Sequence, residues 1–128
     1  MSATTHPPVT LTIAGSEATG GAGAQADPQV IADQLEAIQT AYDLGTVKIG
    51  MLGTPATIDT VAKALQSQAW TNIVLDPVLI CKGQEPGAAL DTDQALKAQI
   101  LPLATFVTPN HFESMSLAGM DSIDSVED

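Results

Sequence analysis

The sequence predicts one α/β domain on a mainly parallel sheet, with helices on both faces in a Rossmann-like three-layer arrangement. Two observations carry this. Short, β-prone apolar runs alternate with segments whose apolar residues recur at helical spacing, and each run stops at glycine, proline or aspartate. That alternation is the pattern of βαβ units with right-handed crossovers, whose strands are short and apolar because both sheet faces are covered.

Val9 to Ala14 (VTLTIA) reads as the first strand, ending at a glycine-dense loop, GSEATGGAGAQAD, residues 15–27. Asp27-Pro28 then has the form of an N-cap followed by a first-turn proline. Val30, Ile31, Leu35, Ile38 and Tyr42 mark a helix running to about Asp43. Val47 to Ile49 is a second strand, closed by Gly50. Thr54-Pro55 repeats the cap-and-proline start, and Ile58, Val61, Ala62 and Leu65 form the apolar face of a helix reaching about Gln68. Ile73 to Leu75 is a third strand, broken by Asp76-Pro77. A loop with Gly83, Pro86 and Gly87 leads to a helix from about Thr92 to Ile100. Thr105 to Val107 is a fourth strand, halted by Pro109, and a last helix starts near His111.

Charge narrows the function. The 128 residues carry a formal charge of −11, with four lysines (Lys48, Lys63, Lys82, Lys97) and no arginine. Such a surface repels nucleic-acid backbones and anionic lipid. An anionic ligand would have to be met by backbone amides, a helix N-terminus or a metal ion. Cys81 is the only cysteine, so no intrachain disulfide forms. Neither a signal peptide nor a membrane-length apolar run is evident, and a cytoplasmic protein is expected.

In a parallel α/β sheet, ligands gather at the carboxyl ends of the strands. Those ends carry Gly15-Ser16-Glu17, Gly50-Met51, Asp76-Pro77-Val78 and Thr108-Pro109-Asn110. Gly21 to Ala26 also fits a permissive GxGxxA dinucleotide pattern, with Asp43 twenty residues past Gly23. Its glycines lie several residues beyond the strand, and no GK[ST] follows, which excludes a P-loop. The same small residues would let a flat ring approach the backbone. Asp76, Asn110 and Glu113 together could frame a hydrated Mg²⁺. Asn110 and Glu113, three apart at a helix start, equally form a capping pair, and the two roles are compatible. His6 and His111 read as N-terminal and surface residues. Cys81 is either a small buried hydrophobe or, beside Lys82 in a loop past a strand end, a thiol with favoured thiolate.

The segments GSEATGGAGAQAD, VKIGMLG, VLDPVLICKG and PLATFVTPNHFES, in that order, resemble the hydroxymethylpyrimidine (phosphate) kinases and the related pyridoxine/pyridoxal kinases, within the ribokinase-like superfamily. The resemblance runs from about Leu11 to the end, and the Cys81-Lys82-Gly83 sequence is similar to the pyridoxal branch. It implies ATP and Mg²⁺ as cofactors, a vitamin-type ring as substrate and a homodimer. It also implies site residues: Gly15, Ala22, Met51 and Val78 lining the ring pocket, Asp27 on a ring substituent, and Asp76, Asn110 and Glu113 at Mg²⁺ and the nucleotide phosphates. Cys81 would sit on a lid and handle protons.

Relatives of this type are about double the length. After QAD they continue through a further strand and a lid hairpin, whereas here Asp27 runs straight into PQVIADQLEAI. The comparison therefore implies a partial ribokinase-like domain over residues 1–128. A middle segment is missing near 27/28, as is a C-terminal half with the main catalytic loop and most of the ATP site, and such a chain would not turn over alone. Asp27 belongs either to the QAD motif or to the helix start. Three functions stay open: a vitamin-ring kinase for pyridoxine/pyridoxal or hydroxymethylpyrimidine, a dinucleotide-dependent oxidoreductase, and a non-catalytic binding domain.

Overall fold

The computed structural model describes residues 7–15, 27–79 and 86–127. Its elements follow the order β1 (Val9–Ile13), α1 (Pro28–Ala41), β2 (Leu44–Ile49), α2 (Pro55–Gln66), β3 (Asn72–Leu75), α3 (Pro86–Gln99), β4 (Phe106–Val107) and α4 (His111–Ala118), with a short 3₁₀ turn, Leu101–Leu103, before β4. All strand pairs are parallel, and the sheet order is β1-β2-β3-β4. The predicted α/β class with a parallel sheet is the one observed.

Consecutive order has a consequence for the layers. When each strand lies beside its predecessor and every crossover has the same hand, the connecting helices stack on one face. Accordingly α1 packs on α2, and α2 on α3. Strand alternation agrees with this: Leu11, Val47, Ile49, Ile73 and Leu75 are buried, while Thr10, Thr12 and Lys48 between them are exposed. Among the described residues α1, α2 and α3 thus form one layer, and Thr12 and Lys48 mark an open face on the other side of the sheet. Register places Thr12, Lys48, Val74 and Phe106 in a row across that open face.

The core lies between sheet and helices. Ile58, Val61, Ala62 and Leu65 of α2, all predicted for its apolar face, pack with Val47, Ile49 and Leu75. Burying aliphatic side chains of this size stabilises by about 1.5–3 kcal/mol each, so the central α2–β2–β3 contact holds the fold. On α1 only Leu35 is fully buried, with Ile31 and Ile38 partly so. Val30 lies a helical step to the side and Tyr42 beyond the last turn, and both are exposed, contrary to the predicted face. Helix α3 begins at Pro86, six residues earlier than predicted, because a proline reads as loop in the sequence yet suits a first helical turn.

One carboxylate is misplaced for stability. Oδ1 of Asp93 on α3 is buried with no hydrogen-bond partner, and desolvation raises its pKa from the ordinary 3.8. A raised carboxyl pKa means that the folded state prefers the protonated form. The resulting penalty is full above the folded pKa and absent below 3.8. Asp93→Asn should therefore raise the melting temperature at neutral pH, with the advantage shrinking to nothing below 3.8. A constant difference at all pH values would assign the effect to packing instead.

Candidate functional site

The carboxyl edge of the sheet is built by a repeated contact. The first residue after each of β2, β3 and β4 donates its amide to the last carbonyl of the preceding strand. Gly50 bonds to Ile13 at 2.8 Å, Asp76 to Ile49 at 2.9 Å and Thr108 to Leu75 at 3.0 Å. The strand ends are thereby flush, and Gly50, Asp76 and Thr108 stand side by side along one edge.

Gly15 extends that edge past β1, its amide 2.7 Å from the Met51 carbonyl. A Cβ on Gly15 would come within 3.2 Å of that same oxygen, and one on Gly50 within 3.3 Å of the Ala14 Cβ. Both glycines are explained by close approach: a side chain at either would press the ends of β1 and β2 apart. The result is a floor of backbone with little side-chain relief, as a planar ligand lying on the sheet edge requires.

Asp76 has intermediate exposure. By strand alternation it points to the face opposite Leu75, the same side as Val74. Its backbone is fixed twice, through the Ile49 carbonyl and through its own carbonyl accepting from Val78 N–H at 2.9 Å. Pro77 and Leu79 are buried beside it and anchor the turn, leaving Val78 partly open. Asp76 is thus a carboxylate on a rigid mount.

Asn110 and Glu113 form a reciprocal capping box at the start of α4. Asn110 Oδ1 accepts from the Glu113 N–H at 2.9 Å, and Glu113 Oε2 accepts from the Asn110 N–H at 2.8 Å. Glu113 is the one buried charged residue among those described. The helix closes on Gly119 at φ 68°, a left-handed position where glycine avoids a Cβ clash. His111 is exposed, as expected. Asp27 accepts from Gln29 N–H at 2.9 Å as the N-cap of α1, so of its two expected roles the helix start is the one displayed.

The structure brings Gly15, Met51, Asp76 and Val78 to neighbouring strand ends, with Asn110 and Glu113 after β4. Ala22, Cys81 and the GxGxxA segment lie outside the described residues. Sequence reasoning missed the contribution of Thr105, whose Oγ1 accepts the Ile73 N–H at 3.0 Å and sets the start of β4 against β3. A threonine opening a strand gives no periodic signal. Among the described residues no group of three His, Cys, Asp or Glu is placed to hold a metal ion.

If the capping box fixes the turn after β4, Asn110→Ala should cost about 1 kcal/mol in urea unfolding, while Asn110→Ser, which keeps an acceptor, should cost far less. Equal stability of the two variants would show that the box carries no energy.

The phosphomethylpyrimidine kinase family profile matches residues 9–128. The chain is 34% identical to the pyridoxine kinase of Bacillus subtilis over 153 aligned positions, covering 92% of this chain and 56% of that one. Among solved structures, phosphomethylpyrimidine kinase from Clostridium difficile superposes with a TM-score of 0.75 at 27% identity, covering 92% of this chain and 65% of that one. Pyridoxal kinase from Staphylococcus aureus, solved with AMP-PCP and pyridoxal, gives 0.63 at 33% identity over 79% of this chain and 35% of that one. The chain thus spans little more than half the length of the curated relative. With the family profile extending over nearly all of it, this chain belongs to the phosphomethylpyrimidine kinase family.

Proposed function

We propose that this chain forms the acceptor-binding part of an ATP-dependent kinase that phosphorylates the hydroxymethyl group of pyridoxine or pyridoxal. The observation that carries the reading is the flush carboxyl edge, where Gly15 and Gly50 bare the backbone next to a rigidly mounted carboxylate, Asp76. Phosphoryl transfer depends mostly on positioning and charge neutralisation. Here the glycine floor and Met51 and Val78 would position the ring, joined by Ala22 and Asp27.

Mg²⁺ and the nucleotide phosphates are assigned to Asp76, Asn110 and Glu113, and the donor set fits unequally. Asp76 makes no side-chain hydrogen bond to any described residue, whereas Glu113 spends one oxygen on the Asn110 amide. Mg²⁺ keeps several waters and commonly takes one or two carboxylates plus phosphate oxygens, so Asp76 fits as the direct carboxylate. When bound, the ion would neutralise charge on the transferring phosphoryl group. The chain's own part is to hold Asp76 at the edge and to fix Asn110 by the cap. Cys81 would close over the ring, with Lys82 favouring its thiolate. Protection of that thiol from iodoacetamide by pyridoxal would support this, and an unchanged alkylation rate would contradict it.

A second reading, phosphorylation of hydroxymethylpyrimidine, is favoured by the higher TM-score to the phosphomethylpyrimidine kinase structure. A thermal-shift panel separates the readings. Pyridoxal at a hundred times its dissociation constant should stabilise the chain by about 2.7 kcal/mol. Hydroxymethylpyrimidine as the better stabiliser would reverse the substrate assignment, and stabilisation by NAD alone would overturn the kinase reading. Asp76→Asn should leave the pyridoxal shift intact, because the ring pocket uses other residues. Loss of the pyridoxal shift would instead move Asp76 to the ring.

A further inference from the structure

The chain sets fifteen Asp and Glu residues against four lysines and no arginine, so the place of each lysine matters for any anionic ligand. Lys63 is committed to Asp59 on α2, 2.7 Å away. Lys97 occupies the last turn of α3, which leads back to the start of β4 and so to the amino edge of the sheet. Lys82 lies outside the described residues. Lys48 is exposed on β2, and its side chain makes no hydrogen bond or ion pair to a described residue.

We infer that Lys48 receives a phosphate group carried by the ring ligand and so sets a preference for the phosphorylated ring over the free alcohol. The inference rests on the ring site proposed for the carboxyl edge. Register pairs Lys48 with Thr12 on one side and Val74 on the other. Two residues further along the same face stand Ala14, Gly50 and Asp76. Two strand steps of about 3.3 Å separate Lys48 from the level of Gly50, a span that the extended stem of a lysine covers. Gly50, directly ahead of Lys48, has no side chain, and Ala14 beside it has only a methyl group. The stem therefore meets no obstacle on β1 or β2. Lysine stems lie along such surfaces and keep the ammonium in water. The ammonium then arrives at the rim of the floor made by Gly15 and Gly50.

Asp76 gives that cation its purpose. A phosphate set on the glycine floor lies beside the Asp76 carboxylate, and like charges in one site repel. Strand spacing and register put the Cα atoms of Lys48 and Asp76 about 8 Å apart on a diagonal. An ammonium between the two anions offsets their repulsion and donates to the phosphate oxygens in charge-assisted hydrogen bonds. Position favours the ring over the nucleotide as the source of the phosphate. Lys48 shares β2 with the floor residue Gly50, whereas Asn110 and Glu113, proposed for the nucleotide, follow β4 two strands away.

Calorimetric titration of the whole chain with pyridoxine and with pyridoxine phosphate tests this. Neither carries an aldehyde, so no imine with lysine contributes. The wild-type chain should bind the phosphorylated ring about tenfold tighter, the scale of one charge-assisted hydrogen bond. Raising the salt to about 1 M should remove most of that preference. In Lys48→Met the two affinities should become equal, and Lys48→Arg should restore the difference. A preference kept by Lys48→Met, a preference unmoved by salt, or equal affinities in the wild type would overturn the inference and leave the ring site standing. Failure of the wild-type chain to bind either form would overturn both. ATP titrated in parallel separates the two phosphate sources: a loss confined to ATP in Lys48→Met would overturn the assignment to the ring. Should Lys48→Met not fold, Lys48→Gln takes its place under the same outcomes.

Discussion

The structure depends on one repeated contact, the amide of each strand's following residue bonded to the last carbonyl of the strand before it. Gly50 on Ile13, Asp76 on Ile49 and Thr108 on Leu75 form a stair of three such bonds. The stair holds because Val47, Ile49 and Leu75 are fully buried against α2. A one-residue slip would turn this apolar set outward and send Lys48 into the core. Core packing thus sets register, and register sets which residues reach the carboxyl edge. The candidate site is a consequence of the core, and its polar groups need no loop of their own to hold them.

Several residues proposed for the site also hold the backbone. Asn110 and Glu113 close the start of α4, and Asp27 closes the start of α1. Double duty has a physical logic: a cap restricts its side chain to one geometry, and a binding group gains from being held so before its ligand arrives. It also limits the ligand. Any ion drawing on Glu113 Oε2 competes with the Asn110 N–H. Asp76, which makes no side-chain hydrogen bond to a described residue, meets no such competition among those residues.

Much of this was legible in the residues. Cap-and-proline pairs at Asp27-Pro28 and Thr54-Pro55 located two helix starts, because an N-cap oxygen and a first-turn proline act locally. The strand ends were legible through Gly50, Asp76-Pro77 and Pro109. The onset of α3 at Pro86 was not, since a proline is compatible with both loop and first turn. Nor was the shared layer of α1, α2 and α3, which follows from strand order, a property of long-range pairing that local patterns do not encode. The two glycines of the floor were visible as residues, but their reason, a carbonyl 3.2 Å from the absent Cβ of Gly15, exists only once β1 and β2 are adjacent.

The central claim is that the ligand lies on the carboxyl edge that this stair aligns. Amide chemical-shift mapping of the labelled chain during a pyridoxal titration tests it most directly. Saturable shifts are expected at Gly15, Gly50, Met51, Asp76 and Val78, with the opposite ends of the same strands, Leu44 and Asn72, unmoved. Saturable shifts centred on Leu44 and Asn72, or on the helical layer alone, would contradict it.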